Sequence, residues 1–267
     1  MRRPLILVAS MIMCTGWLFA EGTMHRKANG AVTMSAPIRV KDADGNAYRT
    51  VAIGSQTWMA ENLRTTHYRD GSPISRLDDD KSWGKDKEGA YCSYGRDATK
   101  AATYGLLYNG YAILSSRGLC PAGWHVPSDA DWQALISHLG GEREAGGKLK
   151  EKGSAHWLEN VGATDSTGFS ALPGGYRFTN YLSGESQFDW LGLRGFYASS
   201  TEWGEKAVWC RDLQNLNPAV ARVHWTGHSG ISVRCPEGLS ATIFTAATRG
   251  CMKGTVVEVS GRATLAR

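Results

Sequence analysis

The segment CPAGWHVPSDADWQALISHLGG, residues 120–141, constrains the fold more than any other. A rigid, turn-rich entrance from Cys120 through Pro127 leads to Ser128. With Asp131, Ser128 has the spacing of a capping box, aspartate standing where Glu or Gln is usual. Trp132, Leu135, Ile136 and Leu139 follow at i, i+3, i+4 and i+7, one apolar stripe of an amphipathic helix. Gly140-Gly141 then supplies the left-handed residue that ends such a helix. The spacing predicts a helix of about three turns that packs its Trp132 face on a core, with Cys120 just ahead of it.

The rest of the chain reads as turns and short strands. Residues 40–65 form a predicted β-meander, in which Val51, Ile53, Trp58 and Met59 flank turns at Asp44-Gly45-Asn46 and Gly54-Ser55-Gln56. Asp42, Asp44 and Asn46 are not a calcium loop, because the glycine comes at position four and the EF-hand needs it at six. Asp78-Asp79-Asp80 reads as a solvated loop, and Asp97 is placed to cap a short helix. Beyond Gly162, strand-length units are separated by Gly, Asn, Ser or Pro, with Val208, 222–225 and 231–235 suited to successive antiparallel strands. The 267 residues include 32 glycines and 10 tryptophans, against roughly 19 glycines at the usual ~7%. That combination argues for irregular loops pinned by aromatic anchors and against a helical bundle.

Residues 1–20 have the layout of a secretory signal peptide: Arg2 and Arg3 precede an apolar stretch, with cleavage after Ala20. The stretch is shorter than the ~20 residues a spanning helix needs, and no second one follows, so no membrane span is expected once it is removed. Cys14 as a lipidated mature N-terminus is the less favoured alternative, since Met13 before it is large. Residues 21–37 read as a flexible lead-in and 237–267 as a tail, loosely ordered or closing in a hairpin at 255–259. The net charge of +5 falls to about +3 without the two leader arginines. Basic residues are interleaved with acids, which disfavours nucleic acid as a partner. Export leaves Cys92, Cys120, Cys210, Cys235 and Cys251 in an oxidising compartment, an odd number whose spacing alone does not fix connectivity.

Six runs in order, AIGSQTWMAENL, YGLLYNGYAI, CPAGWHVPSDADWQAL, AGGKLKE, TDSTGFSALPGGYR and SVRC, resemble the Fibrobacter succinogenes major paralogous domain. The resemblance covers residues 38–236 and implies an exported or cell-surface protein of the kind found in Bacteroidetes and Fibrobacter relatives. That family in turn resembles the C-type-lectin-like fold, shared by formylglycine-generating enzymes and by hypervariable binding proteins. Trp190-Leu191-Gly192-Leu193 is similar to the W-I-G-L core segment of lectin-like domains. The resemblance implies a Cys120–Cys235 disulfide, with Cys92–Cys210 as the second pair and Cys251 left over. Trp58, Trp124, Trp132 and Trp190, inside or beside the family motifs, are expected in the core.

The chemistry is more open. Similar lectins hold calcium and sugar with E-P-N or Q-P-D plus W-N-D, and neither occurs here; Phe188-Asp189-Trp190 is the nearest fragment. No G-x-S-x-G is present. His224 and His228 are four apart, but the Gly and Thr between them argue for strand and loop, where that offset spans roughly 13 Å. No metal or cofactor is therefore expected. The cluster Trp203, Trp209, Arg211, His224, Trp225 and His228 combines the residue types that binding hot spots favour; the competing reading makes Trp209 and Trp225 core residues on alternating strands.

The expected protein is thus an exported α+β domain of C-type-lectin-like type, with irregular antiparallel sheets, one or two short helices and long loops. Its expected role is non-catalytic recognition of an extracellular glycan or surface protein through a loop face near residues 200–230. Two alternatives stand beside it. One is a formylglycine-generating-type oxidase, with Cys210 and Cys235 as the reactive pair. The other is a structural component of a surface assembly, with Cys251 linking a dimer.

Overall fold

In the computed structural model, residues 24–26, 32–34, 39–180 and 185–238 are described. The signal-peptide stretch, Cys14, Cys251 and the 255–259 hairpin lie outside them. Within the lead-in, β1 (Met24–Arg26) pairs antiparallel with β2 (Val32–Met34). The predicted meander forms as β3 (Arg39–Lys41), β4 (Ala47–Ile53) and β5 (Gln56–Met59). Asp42 closes its first turn by accepting from the backbone N–H groups of Asp44 and Asn46 at 3.0 and 2.9 Å. Gly54, at φ 61°, makes the second; a Cβ there would sit 2.9 Å from the His138 ring.

After β6 (Ser75–Arg76) come α1 (Asp80–Lys85), β7 (Ala90–Cys92), α2 (Lys100–Tyr104), β8 (Leu107–Tyr108) and α3 (Gly110–Ile113). These helices run one turn or a little more, too short for an apolar period to register in sequence. Caps nucleate α1 and α3: Asp79 accepts from Ser82 N–H at 2.8 Å and Asn109 from Ala112 N–H at 2.9 Å. Asp97 binds Thr99 and so caps the turn just ahead of α2. The Asp78–Asp80 run is therefore no solvated loop. Asp79 caps α1, and Asp80 with the Leu77 and Asp78 carbonyls holds the buried Arg177 guanidinium.

The helix predicted after Ser128 is α4 (Asp129–His138), with the full capping box. Gly140 N–H donates to Ser137 O and Gly141 N–H to Ile136 O, a Schellman end with Gly140 at φ 95°. Trp132, Leu135, Ile136 and Leu139 are buried, and Trp132 lies 4.8 Å from Trp58 and 6.1 Å from Phe169, ring centre to ring centre. Each such side chain contributes roughly 1.5–3 kcal/mol by leaving water. Next comes α5 (Glu142–Leu149), whose Gly146 and Gly147 allow close backbone approach: a Cβ on either would meet the Ala219 or Gly162 carbonyl within 2.5 Å.

The remaining strands are β9 (Gly174–Thr179), β10 (Ser186–Leu191), β11 (Arg194–Gly204), β12 (Ala207–Gln214), β13 (Val220–Trp225) and β14 (Ile231–Ser232). The main sheet runs β10-β9-β11-β14-β8-β7-β6, and β12 and β13 branch from β11. The sheet is mixed, not purely antiparallel as expected: β11 pairs parallel with β9 and β14, and β6 with β7. The parallel partners meet β11 in its regular first half, at Gly195 and Tyr197, and its register against β12 shifts only after Ala198. With five short α-helices among the described residues, the class is α+β.

Cys120 and Cys235 form a disulfide across a sequence separation of 115 residues, joining the entrance of α4 to the segment after β14. In the chain-entropy model a loop of that length contributes on the order of 4 kcal/mol. The second expected pair does not form. Cys92 and Cys210 are free, buried thiols in different apolar clusters, Cys92 beside Trp83 and Leu107, Cys210 beside Val208 and Phe196.

Two further buried cations brace the scaffold, one of them between family motifs. Arg234, of SVRC, donates to Asn62 Oδ1 at 3.0 and 2.7 Å and to the Phe169 carbonyl, with its guanidinium 4.3 Å over the Phe169 ring. One side chain thus joins SVRC, AENL and TGFSAL. Lys150, of AGGKLKE, donates to the carbonyls of Val161, Gln214 and Asn217 at 2.9, 2.9 and 3.0 Å. Burial pushes its ammonium down to about 8.

Candidate functional site

Strands β12 and β13 set Trp209 opposite His224 and Arg211 opposite Arg222. Side chains alternate along a strand, so these four share one face, while Cys210, Val223 and Trp225 take the other. Trp203, on β11, completes the first face. Its ring stacks on His224 at 4.0 Å and 11°, and Trp209 meets Trp203 edge-on at 6.5 Å and His224 at 5.6 Å. Trp203 remains 56% exposed. The Arg222 guanidinium lies 3.4 Å over Trp209, a cation–π contact of the better kind for an indole.

Helix α4 anchors this face. Asp129 accepts from Arg211 Nη1 at 2.7 Å and from Arg222 Nε at 3.1 and 3.2 Å. Partial desolvation pushes the Asp129 carboxyl up, but the hydrogen bonds and charges of Arg222 and Arg211 outweigh it and hold the group below its ordinary range. Arg211 is buried in this pairing and supports the face from beneath.

The β11–β12 turn shapes one end of the face. Glu205 and Lys206 both sit at positive φ, 43° and 62°, the pattern of a tight hairpin usually written Asn-Gly. For residues with side chains this costs roughly 1–3 kcal/mol each. The turn is held by Glu202, which accepts from Lys206 N–H at 2.8 Å, and it packs closely on Gly110, where a Cβ would sit 2.1 Å from the Lys206 carbonyl. Between the turn and the 226–228 loop lies a pocket of about 310 Å³, lined by Trp203, His224, Glu205, Thr226, His228 and Tyr111. His228 is fixed there: Nε2 donates to the Asp86 carbonyl at 3.0 Å and its ring lies 5.2 Å from that of Tyr111.

Of the six expected site residues, the structure gathers four. Trp203, His224 and His228 line the pocket, and Trp209 backs the Trp203–His224 stack. Arg211 is near but internal. Trp225 takes the opposite face and is half-buried, packed against the core on Tyr176, Phe178 and Phe196 at 4.6, 6.3 and 5.5 Å. Its indole N–H is buried without a partner. Trp190, expected in the core, is half-buried, with Arg194 3.2 Å over its ring. Sequence reasoning missed Arg222, which strand alternation from His224 places on the same face. It also missed Asp129 and Tyr111, which no local signal links to residues 200–228.

No group of three metal-ligating side chains occurs among the described residues. No helix among them is long and apolar enough to cross a membrane. A second hollow, of about 300 Å³, adjoins Arg69, Leu114 and His125. Its arginine is engaged in fixing the α4 entrance, donating to the carbonyls of Cys120 and Trp124 at 2.9 and 2.6 Å.

Scaffold and site define a disulfide-stapled α+β domain with an aromatic, arginine-flanked face on the branch of its main sheet. A family model described as the Fibrobacter succinogenes major domain matches residues 51–235. The chain belongs to that family. No curated protein and no solved structure matches it at a significant level.

Proposed function

We propose that this protein is a non-catalytic recognition module of the cell surface or periplasm that binds a glycan or a surface protein through the face formed by β11–β13 and the 226–228 loop. One observation carries the reading: Trp203 is a large exposed indole at the mouth of a pocket, held flat by His224 and backed by Trp209. Fixed aromatics beside a pocket supply contact area at little entropic cost. The strained Glu205-Lys206 turn that shapes the pocket supports it further, since such backbone is retained where surrounding structure over-determines it and clusters at functional sites.

Export through the 1–20 leader and a C-type-lectin-like scaffold are part of the same proposal. The Cys120–Cys235 disulfide supports both, as a bond of oxidising compartments and as a link from helix entrance to late strand. The oxidase alternative calls for Cys210 and Cys235 as a reactive pair. Cys235 is instead bonded to Cys120, and burial raises the Cys210 thiol above its ordinary range.

The test is a glycan array and a surface-extract pull-down with the wild-type protein and Trp203→Ala. Binding by the wild type, lost in a variant that melts at the same temperature, is expected. Full retention of binding by the variant sinks the face as the binding site.

A further inference from the structure

We infer that the aromatic face takes a sugar bearing a carboxylate, with Arg222 as its anion-binding group; this rests on the recognition face proposed above and adds the ligand class. Arg222 is oriented from two sides. Its Nε donates to both oxygens of Asp129 at 3.1 and 3.2 Å, and its guanidinium plane lies on Trp209 at 3.4 Å. Among the described residues its Nη1 and Nη2 have no partner, and the side chain is 38% exposed. An arginine with the Nε side tied and the Nη end open presents two parallel N–H donors in a fixed plane, the fork that matches a carboxylate.

The local charge favours the same ligand. Asp129 is shared by two arginines, so the trio carries one excess positive charge. Arg211 is buried and spends both Nη groups on Asp129, which leaves Arg222 as the exposed bearer of that charge. The neighbouring acid Glu202 is partnered by Lys206 Nζ at 3.8 Å and by its backbone N–H. Glu205 lines the pocket, which Arg222 does not.

The face is therefore graded. At one end lies a pocket with acceptors and hydroxyls suited to neutral sugar hydroxyls; in the middle is the exposed Trp203 plate, suited to the apolar face of a pyranose; at the other end is a guanidinium fork. With Arg222 3.4 Å from the Trp209 ring and Trp209 6.5 Å from Trp203, plate and fork fall within the span of a disaccharide. A sugar stacked on Trp203 reaches Arg222 with a carboxylate of its own or of its neighbour.

The test is isothermal titration with uronate oligosaccharides (galacturonate, guluronate, mannuronate and glucuronate series) and with the same oligomers after reduction of their carboxylates to alcohols. At least one uronate series is expected to bind, and its reduced form to bind about tenfold more weakly, the loss typical of one charge-assisted hydrogen-bond pair. Arg222→Gln lowers acidic-ligand affinity by the same factor and leaves the reduced ligand unchanged. Arg222→Lys, which keeps the charge but not the fork, falls between. Arg211 still pairs with Asp129 in both variants, and an unchanged melting temperature confirms the fold. Failure of every uronate series to bind, or equal binding of acidic and reduced forms, overturns the carboxylate assignment. If neutral glycans then bind in a Trp203-dependent way, the recognition face survives without it; if Trp203→Ala changes no binding at all, the face itself fails.

Discussion

The tryptophans of the interior and those of the β11–β13 face differ in what their polar ends do. Trp58, Trp83, Trp132 and Trp157 are fully buried, and each indole N–H has a protein acceptor: Gln56 Oε1, His228 O, Ala198 O and Ala171 O, at 3.3, 2.7, 3.1 and 3.0 Å. Trp203 and Trp209 have no such acceptor among the described residues, and their rings rest on His224 and Arg222, not on apolar side chains. The fold consumes the whole of the first group, ring and N–H alike. It holds the second in place and leaves part of each ring unused. The same division separates the family motifs from the site. Arg234 joins motif to motif inside the scaffold, and Lys150 ties AGGKLKE to the carbonyls of Val161, Gln214 and Asn217 outside the motifs, whereas residues 200–228 contain none of the six motif runs. The scaffold is built largely from the motifs, and the proposed recognition face lies between them.

That division is open to attack first at Trp132. Replacing it with Ala removes a buried ring packed on Trp58, Phe169 and Tyr197 and the indole N–H donated to the Ala198 carbonyl. A loss of about 3–5 kcal/mol in denaturant unfolding is expected. A loss below 1 kcal/mol would mean that the interior aromatics are as dispensable to the fold as the surface ones. Replacing both Cys120 and Cys235 with Ser ranks next, at about 2–4 kcal/mol. Peptide mapping of the untreated protein is expected to recover the Cys120–Cys235 link, with Cys92 and Cys210 labelled only after denaturation.

The two free thiols add a pH-dependent effect. Burial pushes Cys92 up to about 11 and Cys210 higher still. In the unfolded chain thiols begin to release protons near pH 8.5, while the folded chain keeps them. Stability from this source is complete below that pH and declines as pH rises through about 11, by up to about 1.4 kcal/mol per pH unit for each thiol. Unfolding curves across pH 8–11 should steepen in their decline for the wild type and flatten for Cys92→Ala; identical slopes would place Cys92 in contact with solvent.

Legibility in the sequence followed the reach of each signal. The α4 helix, its capping box and Gly140-Gly141 end are local patterns of a few residues, and they stand where the spacing puts them. The β3–β5 meander is local in the same way. The parallel pairings of β11 are not, because nothing in the residues of β11 states that β9 and β14 flank it. Short helices such as α1 and α3 rest on a single cap each and carry no period. In the site, Trp203, Trp209 and His224 were legible as residue types on strands. Their partners Asp129 and Tyr111 come from α4 and α3, far off in sequence; Arg211 is buried and Trp225 half-buried on the opposite face, because burial is decided by the packed sheet and not by the residue's kind.

The smallest expected change in stability is the most diagnostic one. Trp203→Ala removes an exposed ring whose aromatic partners are His224 and Trp209 and whose N–H has no acceptor among the described residues. Exposed substitutions away from caps, cavities and ion pairs fall within about 0.5 kcal/mol, and this one should too, a tenth or so of the cost at Trp132. Thermal unfolding of the two variants side by side measures the ratio directly. If Trp203→Ala destabilises by 2 kcal/mol or more, the ring is holding the β11 bulge and the Glu205-Lys206 turn in place, and its exposure is a by-product of folding. If it costs almost nothing, folding gives no reason for an indole at that position. The free energy that retains it then has to come from a ligand, and the affinity lost in the same variant is its measure.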